Sequence, residues 1–347
     1  MSSIISSFGR NVCIDMGTVN SRVLVAGRSV ITEPSVVATD PKREGIVALG
    51  QEAENLIRRT PDELGELWPL REGFIVDYRV THTLLTYLMH KASRSVRRSR
   101  VFIGVPYGMT DVEIRALMDA VIQAGARETY LVDMPVAAAL GCDMPIFDAV
   151  GNMVVDIGGG TTDIAVMSLG GVVAARTVPI GGNDWNGAIF KYLKQIFSCL
   201  VSDITVEKMK CQKGTAIAPM DAHDDEEFSF VGRDTTTGLV VTPSIHQSEL
   251  YSILQKPLQR LVAEIKNVMR QTPPELLSDI MERGIVLTGG ASQLQGLAER
   301  LSKELTVPVQ VAEDPENCVI KGLALAAKNQ GRMNRFIVAS RNRKGRN

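Results

Sequence analysis

The sequence predicts an α/β protein made of two similar halves, each built around a central β-sheet. An apolar strand that ends in an acidic residue, a small-residue turn and a second apolar strand occur at residues 12–25 and again at residues 153–166. Each half then carries a short apolar strand followed by an amphipathic helix, and later a helix of small residues. Strands that alternate with helices in this way are typical of α/β architectures.

The first half follows that order from its hairpin onward. A buried-type strand at residues 101–106 precedes a helix from about Asp111 to Ala124, whose apolar residues fall near one face. Asp133, Met134 and Pro135 then open the small-residue helix, and proline suits a first helical turn.

The second half repeats the order. Its buried-type strand is at residues 284–290, and the following helix is expected from about Ser292 to Leu305. Asp314 and Pro315 open a further helix of small residues. We therefore expect a duplicated fold with a ligand cleft between the halves.

Two segments interrupt the repeat and are interpreted as small inserted subdomains. Residues 31–73 are rich in proline, and residues 181–244 contain an acidic run. The predicted organisation is a first lobe (1–30, 74–146 and 321–347) with insertion 31–73, and a second lobe (147–180 and 245–320) with insertion 181–244.

Composition limits the classes of function. The chain has 347 residues, 45% hydrophobic and 22% charged, which is ordinary for a soluble globular protein, and its net charge of −1 gives no reason to expect nucleic-acid binding. The five cysteines are dispersed and lack metal-ligand spacing, so buried thiols in a reducing cytosol are expected. The sequence shows no signal peptide and no run of eighteen apolar residues, so we expect no membrane-spanning segment.

The two acidic hairpins point to a phosphate site. Glycine-rich turns allow backbone N–H groups to approach phosphate oxygens closely. Two such turns facing each other would hold a nucleotide phosphate tail, with Asp15 and Asp156 near its metal ion. The alternative is a pair of tight turns with two unrelated aspartates.

Three motifs, in order along the chain, carry a family resemblance. Residues 15–18, 156–163 and 285–292 resemble the two phosphate motifs and the adenosine motif of the actin, sugar kinase and heat-shock chaperone superfamily. Residues 105–113, 272–285 and 311–315 resemble the MreB family of bacterial cell-shape actins. The resemblance extends from about Asn11 to about Lys328.

The resemblance implies an actin-like fold that binds ATP and Mg²⁺. Asp15 and Asp156 would hold the metal through its waters, because Mg²⁺ keeps most of its hydration shell. Arg22 would reach the phosphates, or it is simply a surface arginine. The residues implied in binding the phosphates are Gly17, Thr18, Asn20, Arg22, Gly158, Gly159, Gly160, Thr161 and Thr162.

The adenosine would be held from two sides. Gly289, Gly290 and Ser292 would pack under the adenine and ribose, where larger side chains would obstruct. Glu207 and Lys210 match the family helix that contacts the adenosine from the other side. Without the resemblance, these two charges would be interpreted as a solvated helix face.

Hydrolysis is the point at which the sequence departs from its relatives. Family members usually carry a glutamate before the proline of the first small-residue helix, where it orients the attacking water and helps to take its proton. Met134 occupies that position and cannot accept a proton. Thr161 remains as a polar group near the water, and Asp133 or a chain of waters is the alternative base. Because loss of a positioned base commonly costs about 10²–10⁴ in rate, we expect slow or absent hydrolysis.

Three segments are considered for membrane contact. Met1, Ile4, Ile5 and Phe8 form a short apolar stripe at helical spacing, or belong to a frayed terminus. The basic loop from Lys91 to Arg100 lies where relatives carry a membrane-touching loop, and is otherwise a solvated loop. The tail from Arg332 to Arg346 would serve the same purpose or be disordered.

The expected function is therefore a cytoskeletal one. The resemblance implies head-to-tail filaments, paired antiparallel, at the inner face of the cytoplasmic membrane, with cell-wall synthesis proteins as partners. A small-molecule kinase of the same superfamily is the alternative and would require a substrate pocket and a catalytic aspartate beside the cleft. A chaperone-type ATPase would need a peptide-binding domain, for which the chain leaves no room.

Overall fold

The computed structural model describes residues 11–25, 28–41, 45–60, 63–71, 73–92, 99–219, 225–333 and 336–342. Its strands are β1 (Asn11–Met16), β2 (Asn20–Val25), β3 (Ile31–Pro34), β4 (Val37–Asp40), β5 (Gly45–Leu49), β6 (Gly65–Leu67), β7 (Leu70–Arg71), β8 (Phe74–Ile75), β9 (Arg100–Val105), β10 (Glu128–Asp133), β11 (Asn152–Ile157), β12 (Thr162–Ser168), β13 (Gly171–Val178), β14 (Cys199–Leu200), β15 (Glu227–Ser229), β16 (Gly232–Asp234), β17 (Val240–Val241), β18 (Ser244–His246), β19 (Ile285–Thr288), β20 (Val309–Val311) and β21 (Ile337–Asn342). Its helices are α1 (Gly50–Arg59), α2 (Tyr78–Ala92), α3 (Asp111–Gln123), α4 (Met134–Gly141), α5 (Gly182–Ile196), α6 (Asp203–Lys213), α7 (Gln247–Gln271), α8 (Pro274–Arg283), α9 (Leu297–Leu305), α10 (Cys318–Lys328) and α11 (Gln330–Met333).

Two large sheets share one topology. The first has the order β21-β10-β9-β1-β2-β3, and the second has the order β13-β12-β11-β19-β20. In both, the hairpin strands and a third strand are antiparallel, whereas the next two strands are parallel to the first hairpin strand. The mixed sheets and flanking helices confirm the predicted duplicated α/β fold.

The hairpins form because their apolar residues are buried and their turns are small. In the second hairpin every residue of both strands is buried, as expected for a sheet covered by helices on both faces. Asp15 lies opposite Arg22 across the first hairpin, and Asp156 lies opposite Asp163 across the second. Each hairpin therefore places its acidic residue at the end of its first strand, beside the turn.

The first inserted segment begins later than the sequence boundary suggests. Strand β3, assigned above to insertion 31–73, pairs antiparallel with β2 in the large sheet and is the counterpart of β13. The pairing satisfies the backbone groups on the outer side of β2, a benefit that local composition does not reveal. Strands β4, β5 and β6 form a separate small sheet, with α1 packed on a minor apolar cluster, whereas β7 pairs with β8 and Leu70 joins the core of the first lobe.

Part of the second inserted segment also belongs to a main core. Trp185, Ile189 and Leu193 of α5 are fully buried in the same apolar cluster as the second sheet and α7. The remaining elements are the sheet β14-β16-β17, the pair β15-β18 and α6, and α6 contributes Val206 and Met209 to the same core.

Helices α4 and α10 pack against each other between the two sheets. Helix α4 follows β10 of the first sheet and precedes β11 of the second, whereas α10 leads from the second sheet back towards β21. A Cβ on Gly322 would lie 1.7 Å from the carbonyl oxygen of Ala137, so the helix backbones are in direct contact. Their shared cluster contains Phe102 from the first sheet and Val154 from the second. The small residues predicted as two helix starts thus form the junction between the lobes.

One helix begins differently from the prediction. The segment expected as a single helix from about Ser292 is a 3₁₀ turn, Gly290–Gln293, followed by α9. Gly296 adopts a left-handed conformation (φ +71°) directly before α9, which interrupts a continuous helix. Helix α3 begins as expected, with a capping box between Thr110 and Glu113.

The described part of the tail is ordered in the first lobe. Phe336 is buried and meets the ring of Phe147 edge to face at 5.8 Å, and β21 pairs antiparallel with β10. The alternative that the tail from Arg332 is disordered is therefore wrong for residues 336–342, because this strand covers the edge of β10, whereas membrane contact of the tail stays a prediction. The N-terminal stripe and positions 93–98 of the basic loop lie outside the described residues.

Candidate functional site

The two hairpin turns face each other across a cleft between the lobes. A Cβ on Gly159 would lie 2.3 Å from Cγ2 of Val19, and a Cβ on Gly160 would lie 2.7 Å from Oγ1 of Thr18. The turns are thus so close that a side chain at either glycine would collide with Val19 or Thr18 unless one of the turns shifted. They border a cavity of about 470 Å³, a size typical of small-molecule sites.

Most of the residues predicted for the site line this cavity. They are Asp15, Gly17, Thr18, Asn20, Arg22, Asp156, Gly158, Gly159, Thr161, Glu207, Lys210, Gly289 and Gly290. They come from both hairpins, from α6 and from the turn after β19. The sequence therefore predicted a set of residues that the fold brings together from distant parts of the chain.

Four predicted residues do not line the cavity. Thr162 is buried and donates its hydroxyl to the carbonyl of Ile180 at 2.7 Å, so it fixes the second hairpin from behind. Ser292 donates its hydroxyl to the carbonyl of Gly289 at 2.6 Å and thereby holds the glycine turn. Gly160 packs against Thr18, and Asp133 ends β10 outside the lining.

The two acidic residues of the hairpins are buried at the cavity. Asp15 and Asp156 are only 7% and 8% exposed. Burial raises the pKa of Asp15 to about 7, against the opposing effect of Arg22, and nearby Asp156 raises it further. Burial also raises the pKa of Asp156, although the hydroxyl of Thr288 donates to its carboxylate at 2.7 Å. A cation that enters the cavity would therefore be stabilised by these two carboxyl groups.

Arg22 is held by carboxylates rather than pointing freely into the cleft. Its guanidinium donates to Oε2 of Glu316 at 2.7 Å and lies 3.9 Å from Oδ2 of Asp15. Glu316 comes from the 3₁₀ turn before α10, so this ion pair crosses from the first hairpin to the far wall of the cavity. The side chain of Arg22 is 12% exposed, so it is mostly covered by the cavity wall.

The wall formed by α6 carries an ion pair between the buried Lys210 and the exposed Glu207. Nζ of Lys210 lies 2.7 Å from Oε2 of Glu207 and 3.3 Å from the carbonyl oxygen of Gly182. Burial opposes ionisation of Glu207, but Lys210 and the amide of Asn186 outweigh it and lower the pKa of Glu207. Opposite this wall, Gly289 has a positive φ of +82°, and a Cβ there would lie 2.3 Å from the carbonyl of Ile157.

Asp163 is a cavity residue that the sequence prediction missed. It is 1% exposed and accepts hydrogen bonds from the backbone N–H of Tyr107 at 3.3 Å and from the hydroxyl of Thr177. Burial raises the pKa of Asp163 to about 7, despite those bonds, and nearby Asp156 adds to the rise. The acidic residue that follows the glycine turn, opposite Asp156 in the hairpin register, was the available signal.

Met134 lies at the cavity, where relatives are expected to carry a carboxylate. It is 8% exposed, lines the cavity and packs in the α4–α10 cluster with Val319 and Leu323. Asp133, directly before it, has its pKa raised to about 6 by burial. The thioether therefore gives this part of the cavity an apolar surface.

The described residues contain no dedicated metal cage. No group of three or more His, Cys, Asp or Glu side chains among them is arranged to hold a metal ion. The buried pair Asp15 and Asp156 nevertheless fits Mg²⁺, which commonly uses one or two carboxylates, several waters and substrate phosphates. No helix within the described ranges is long and apolar enough to cross a membrane.

The duplicated lobes with a cleft between facing acidic hairpins define an actin-like fold. The crystal structure of MreB5 of Spiroplasma citri bound to ADP superimposes with a TM-score of 0.88 at 28% identity, covering 94% of this chain and 98% of that one. The structure of the same protein bound to AMPPNP superimposes with a TM-score of 0.87 and covers 93% of this chain and 97% of that one. A MamK double helical filament shares the fold, with a TM-score of 0.77 at 21% identity and coverage of 92% and 99%.

Sequence comparison shows which family of actin-like proteins the chain resembles. Residues 9–335 match the model of the MreB/Mbl protein family. The cell shape-determining protein MreB of Escherichia coli K12 is 40% identical over 91% of this chain and 92% of its own length. The cell shape-determining protein Mbl of Bacillus subtilis is 37% identical over 94% of this chain and 98% of its own. The chain belongs to the MreB/Mbl family.

Proposed function

We propose that the protein is an ATP-binding bacterial actin that polymerises and scaffolds cell shape and cell-wall synthesis. The observation that carries the proposal is the pair of hairpin turns, each with a buried aspartate, that face each other across one cavity. One relative of this fold, MreB5 of Spiroplasma citri, has been crystallised with ADP and with AMPPNP, and sequence relatives are named as cell shape-determining proteins. Together these findings favour a nucleotide as the occupant of the cleft.

In this proposal each wall of the cavity has a distinct task. The backbone N–H groups of the two turns bind the phosphates, helped by the hydroxyls of Thr18 and Thr161. Asp15 and Asp156 hold hydrated Mg²⁺, which screens the phosphate charge when it is bound. Arg22 lies at the same end, beside Asp15, and reaches the phosphates when it exchanges its ion pair with Glu316 for one with a phosphate oxygen.

The adenosine end lies between α6 and the turn after β19. The Glu207–Lys210 pair presents polar groups on one side, and Gly289 and Gly290 leave open space on the other. Ser292 acts indirectly, through its bond to the carbonyl of Gly289. Thr162 likewise supports the phosphate turn through Ile180 without touching the ligand.

Titration calorimetry with ATP, with and without Mg²⁺, tests binding. We expect Mg²⁺-dependent binding by the wild type and a loss of about 100-fold or more in Asp156→Asn, since one charged ligand-side interaction is removed. Asp148→Asn removes the same charge at an exposed position and should bind like the wild type. Equal affinities in all three proteins would refute the proposed metal site.

We further propose that hydrolysis is slow, because Met134 cannot position or deprotonate a water. Phosphate release should rise about 10²–10⁴-fold in Met134→Glu if the glutamate reaches the water. Met134→Gln has the same length without a base and is the control. If the wild type released phosphate as fast as Met134→Glu, the proposed impairment would be refuted. In that case, loss of the wild-type rate in Asp133→Asn or in Thr161→Val would identify the group that replaces the glutamate.

Filament formation and membrane contact complete the proposal. Subunits would stack head to tail into filaments that pair antiparallel and lie at the inner face of the cytoplasmic membrane, where cell-wall synthesis proteins are partners. Sedimentation in ATP with electron microscopy distinguishes a polymer from a soluble kinase. Co-sedimentation with anionic and with neutral vesicles, using the full chain and a variant lacking residues 1–9, tests the membrane contact; equal pelleting of both proteins would exclude the N-terminal stripe.

A further inference from the structure

Two cysteines far apart in sequence lie side by side at the junction of the lobes. The Sγ atoms of Cys142 and Cys318 are 3.3 Å apart, and the thiol of Cys142 donates to the sulfur of Cys318. The thiol of Cys318 in turn donates to the carbonyl of Asp314 at 3.2 Å. Both are reduced, and 176 residues separate them. Neither is used by the proposed nucleotide chemistry.

The pair joins the two helices that link the sheets. Cys142 directly follows α4, and Cys318 is the first residue of α10. A Cβ on Gly141 would lie 3.0 Å from Cα of Cys318, so the two backbones are already in close contact. A disulfide requires an S–S bond of about 2.05 Å, so the sulfurs need to approach by little more than about 1 Å.

The surroundings favour one thiolate in the pair. The hydrogen bond from Cys142 lowers the pKa of Cys318, burial and Asp156 oppose it, and Lys321 assists it. The same bond raises the pKa of Cys142, as does its burial, so Cys318 is the thiol of the pair that ionises more readily, by losing the proton that it donates to the carbonyl of Asp314. The N-terminal position of Cys318 on α10 also favours a negative charge.

Cys142 is the side of the pair that faces the surface, next to a groove. Cys142 is partly exposed, whereas Cys318 is 2% exposed. Asp143, the residue after Cys142, lines a groove of about 250 Å³ together with Leu140, Met144 and Leu325. The groove has room for a molecule of the size of hydrogen peroxide.

We propose that Cys142 and Cys318 form a redox modification site, at which a hydroperoxide converts the dithiol into a disulfide that ties α4 to α10. With hydrogen peroxide, the thiolate of Cys318 attacks one oxygen, the O–O bond breaks, and the other oxygen leaves as water after taking up a proton. The thiol of Cys142 then attacks the resulting sulfenic acid, the S–O bond breaks and a second water leaves. Two sulfurs are oxidised and one peroxide is reduced to two waters.

The disulfide would act on the nucleotide cleft because its neighbours form part of the cavity wall. Glu316 and Val319 flank Cys318 and line the cavity, and Glu316 pairs with Arg22 of the first hairpin. A covalent tie between the two linking helices restrains movement of one lobe against the other. Nucleotide exchange is therefore expected to slow on oxidation, a consequence that rests on the proposed function, whereas the disulfide itself does not.

The test uses the full chain with Cys211→Ser, so that the exposed cysteine does not compete in the mapping, and keeps the unmodified chain to calibrate the oxidant dose. After treatment with hydrogen peroxide and alkylation, peptide mapping should show a Cys142–Cys318 disulfide, absent in the further variants Cys142→Ser and Cys318→Ala. Thermal unfolding of each reduced protein checks that it is folded. Free, alkylated Cys142 and Cys318 at an oxidant dose that converts Cys211 in the unmodified chain would overturn the proposal.

The functional arm measures release of a fluorescent ADP analogue. Release should slow at least about fivefold on oxidation, recover with a dithiol reductant, and stay unchanged in Cys142→Ser. If the disulfide formed without changing the release rate of the ADP analogue, the proposed effect of oxidation on the cleft would be refuted. Failure of the reduced protein to bind the analogue would instead count against the proposed nucleotide function, so the two failures are distinguishable.

Discussion

Replacement of Gly159 by alanine should separate the two hairpin turns. The new Cβ would lie 2.3 Å from Cγ2 and 3.2 Å from Cβ of Val19, whereas carbon atoms in contact are normally about 3.5–4.0 Å apart. Either the turns move apart by about 1 Å or Val19 changes its conformation, and overpacking of this kind costs about 1–3 kcal/mol. If both turns bind one phosphate tail, that cost appears in the affinity, which should fall about 10–100-fold.

The assay is titration calorimetry with Mg²⁺ and ATP on a double-mutant cycle. Val19→Ala removes Cγ2, so the double variant should recover most of the affinity lost in Gly159→Ala, and the coupling should be about 1 kcal/mol or more. Gly187→Ala is the matched control, because Gly187 is exposed on α5 with no neighbour within 4 Å of an added Cβ. Wild-type affinity in Gly159→Ala, or no recovery in the double variant, would refute the picture of two turns closed on one ligand.

Three further outcomes follow from the packing and from the buried carboxyl groups. Gly322→Ala should lower the free energy of unfolding by about 3 kcal/mol or more, measured by denaturant titration, because its Cβ would lie 1.7 Å from the carbonyl of Ala137; Gly331→Ala, with nothing within 4 Å, should be nearly neutral. Thr162→Val should cost about 1–3 kcal/mol by leaving the carbonyl of Ile180 without its donor, and a neutral result would contradict that bond. Burial raises the pKa of Asp133 from 3.8 to about 6. Between these two pH values the folded protein therefore binds more protons than the unfolded chain. The contribution of Asp133 to the free energy of unfolding should fall by about 3 kcal/mol as the pH rises from 3.8 to about 6. Asp133→Asn should lack this part of the pH dependence, and parallel stability curves for both proteins would contradict the raised pKa.

The cavity residues that the sequence predicted share one property: each lies in a local pattern with its own chemistry. An acidic residue before a small-residue turn between apolar strands identifies Asp15 and Asp156 without any knowledge of the tertiary contacts. The same local reasoning cannot say which way a side chain faces. Thr162 adjoins the glycine turn in sequence, yet its hydroxyl points behind the hairpin to Ile180.

Contacts between distant segments of the chain could not be predicted from the sequence. Arg22 and Glu316, which form an ion pair, are 294 positions apart in the sequence, and the local pattern of apolar and polar residues does not predict their contact. Strand β3 belongs to the large sheet because β2 offers an unpaired edge, and β21 covers β10 for the same reason. Edge pairing depends on which neighbour is present in space, and residues 31–34 alone do not encode it.

The two halves, their hairpins and the acidic residues that end the first strands are encoded locally, because they follow from short runs of apolar residues and from turn chemistry. The contact of the turns at Val19 and Gly159, and the 3.3 Å distance between the sulfurs of Cys142 and Cys318, arise from packing between distant segments. These segments meet because α4 and α10 pack backbone to backbone through Gly141 and Gly322. That close packing sets the distance between the lobes, and no local segment of the chain contains both helices.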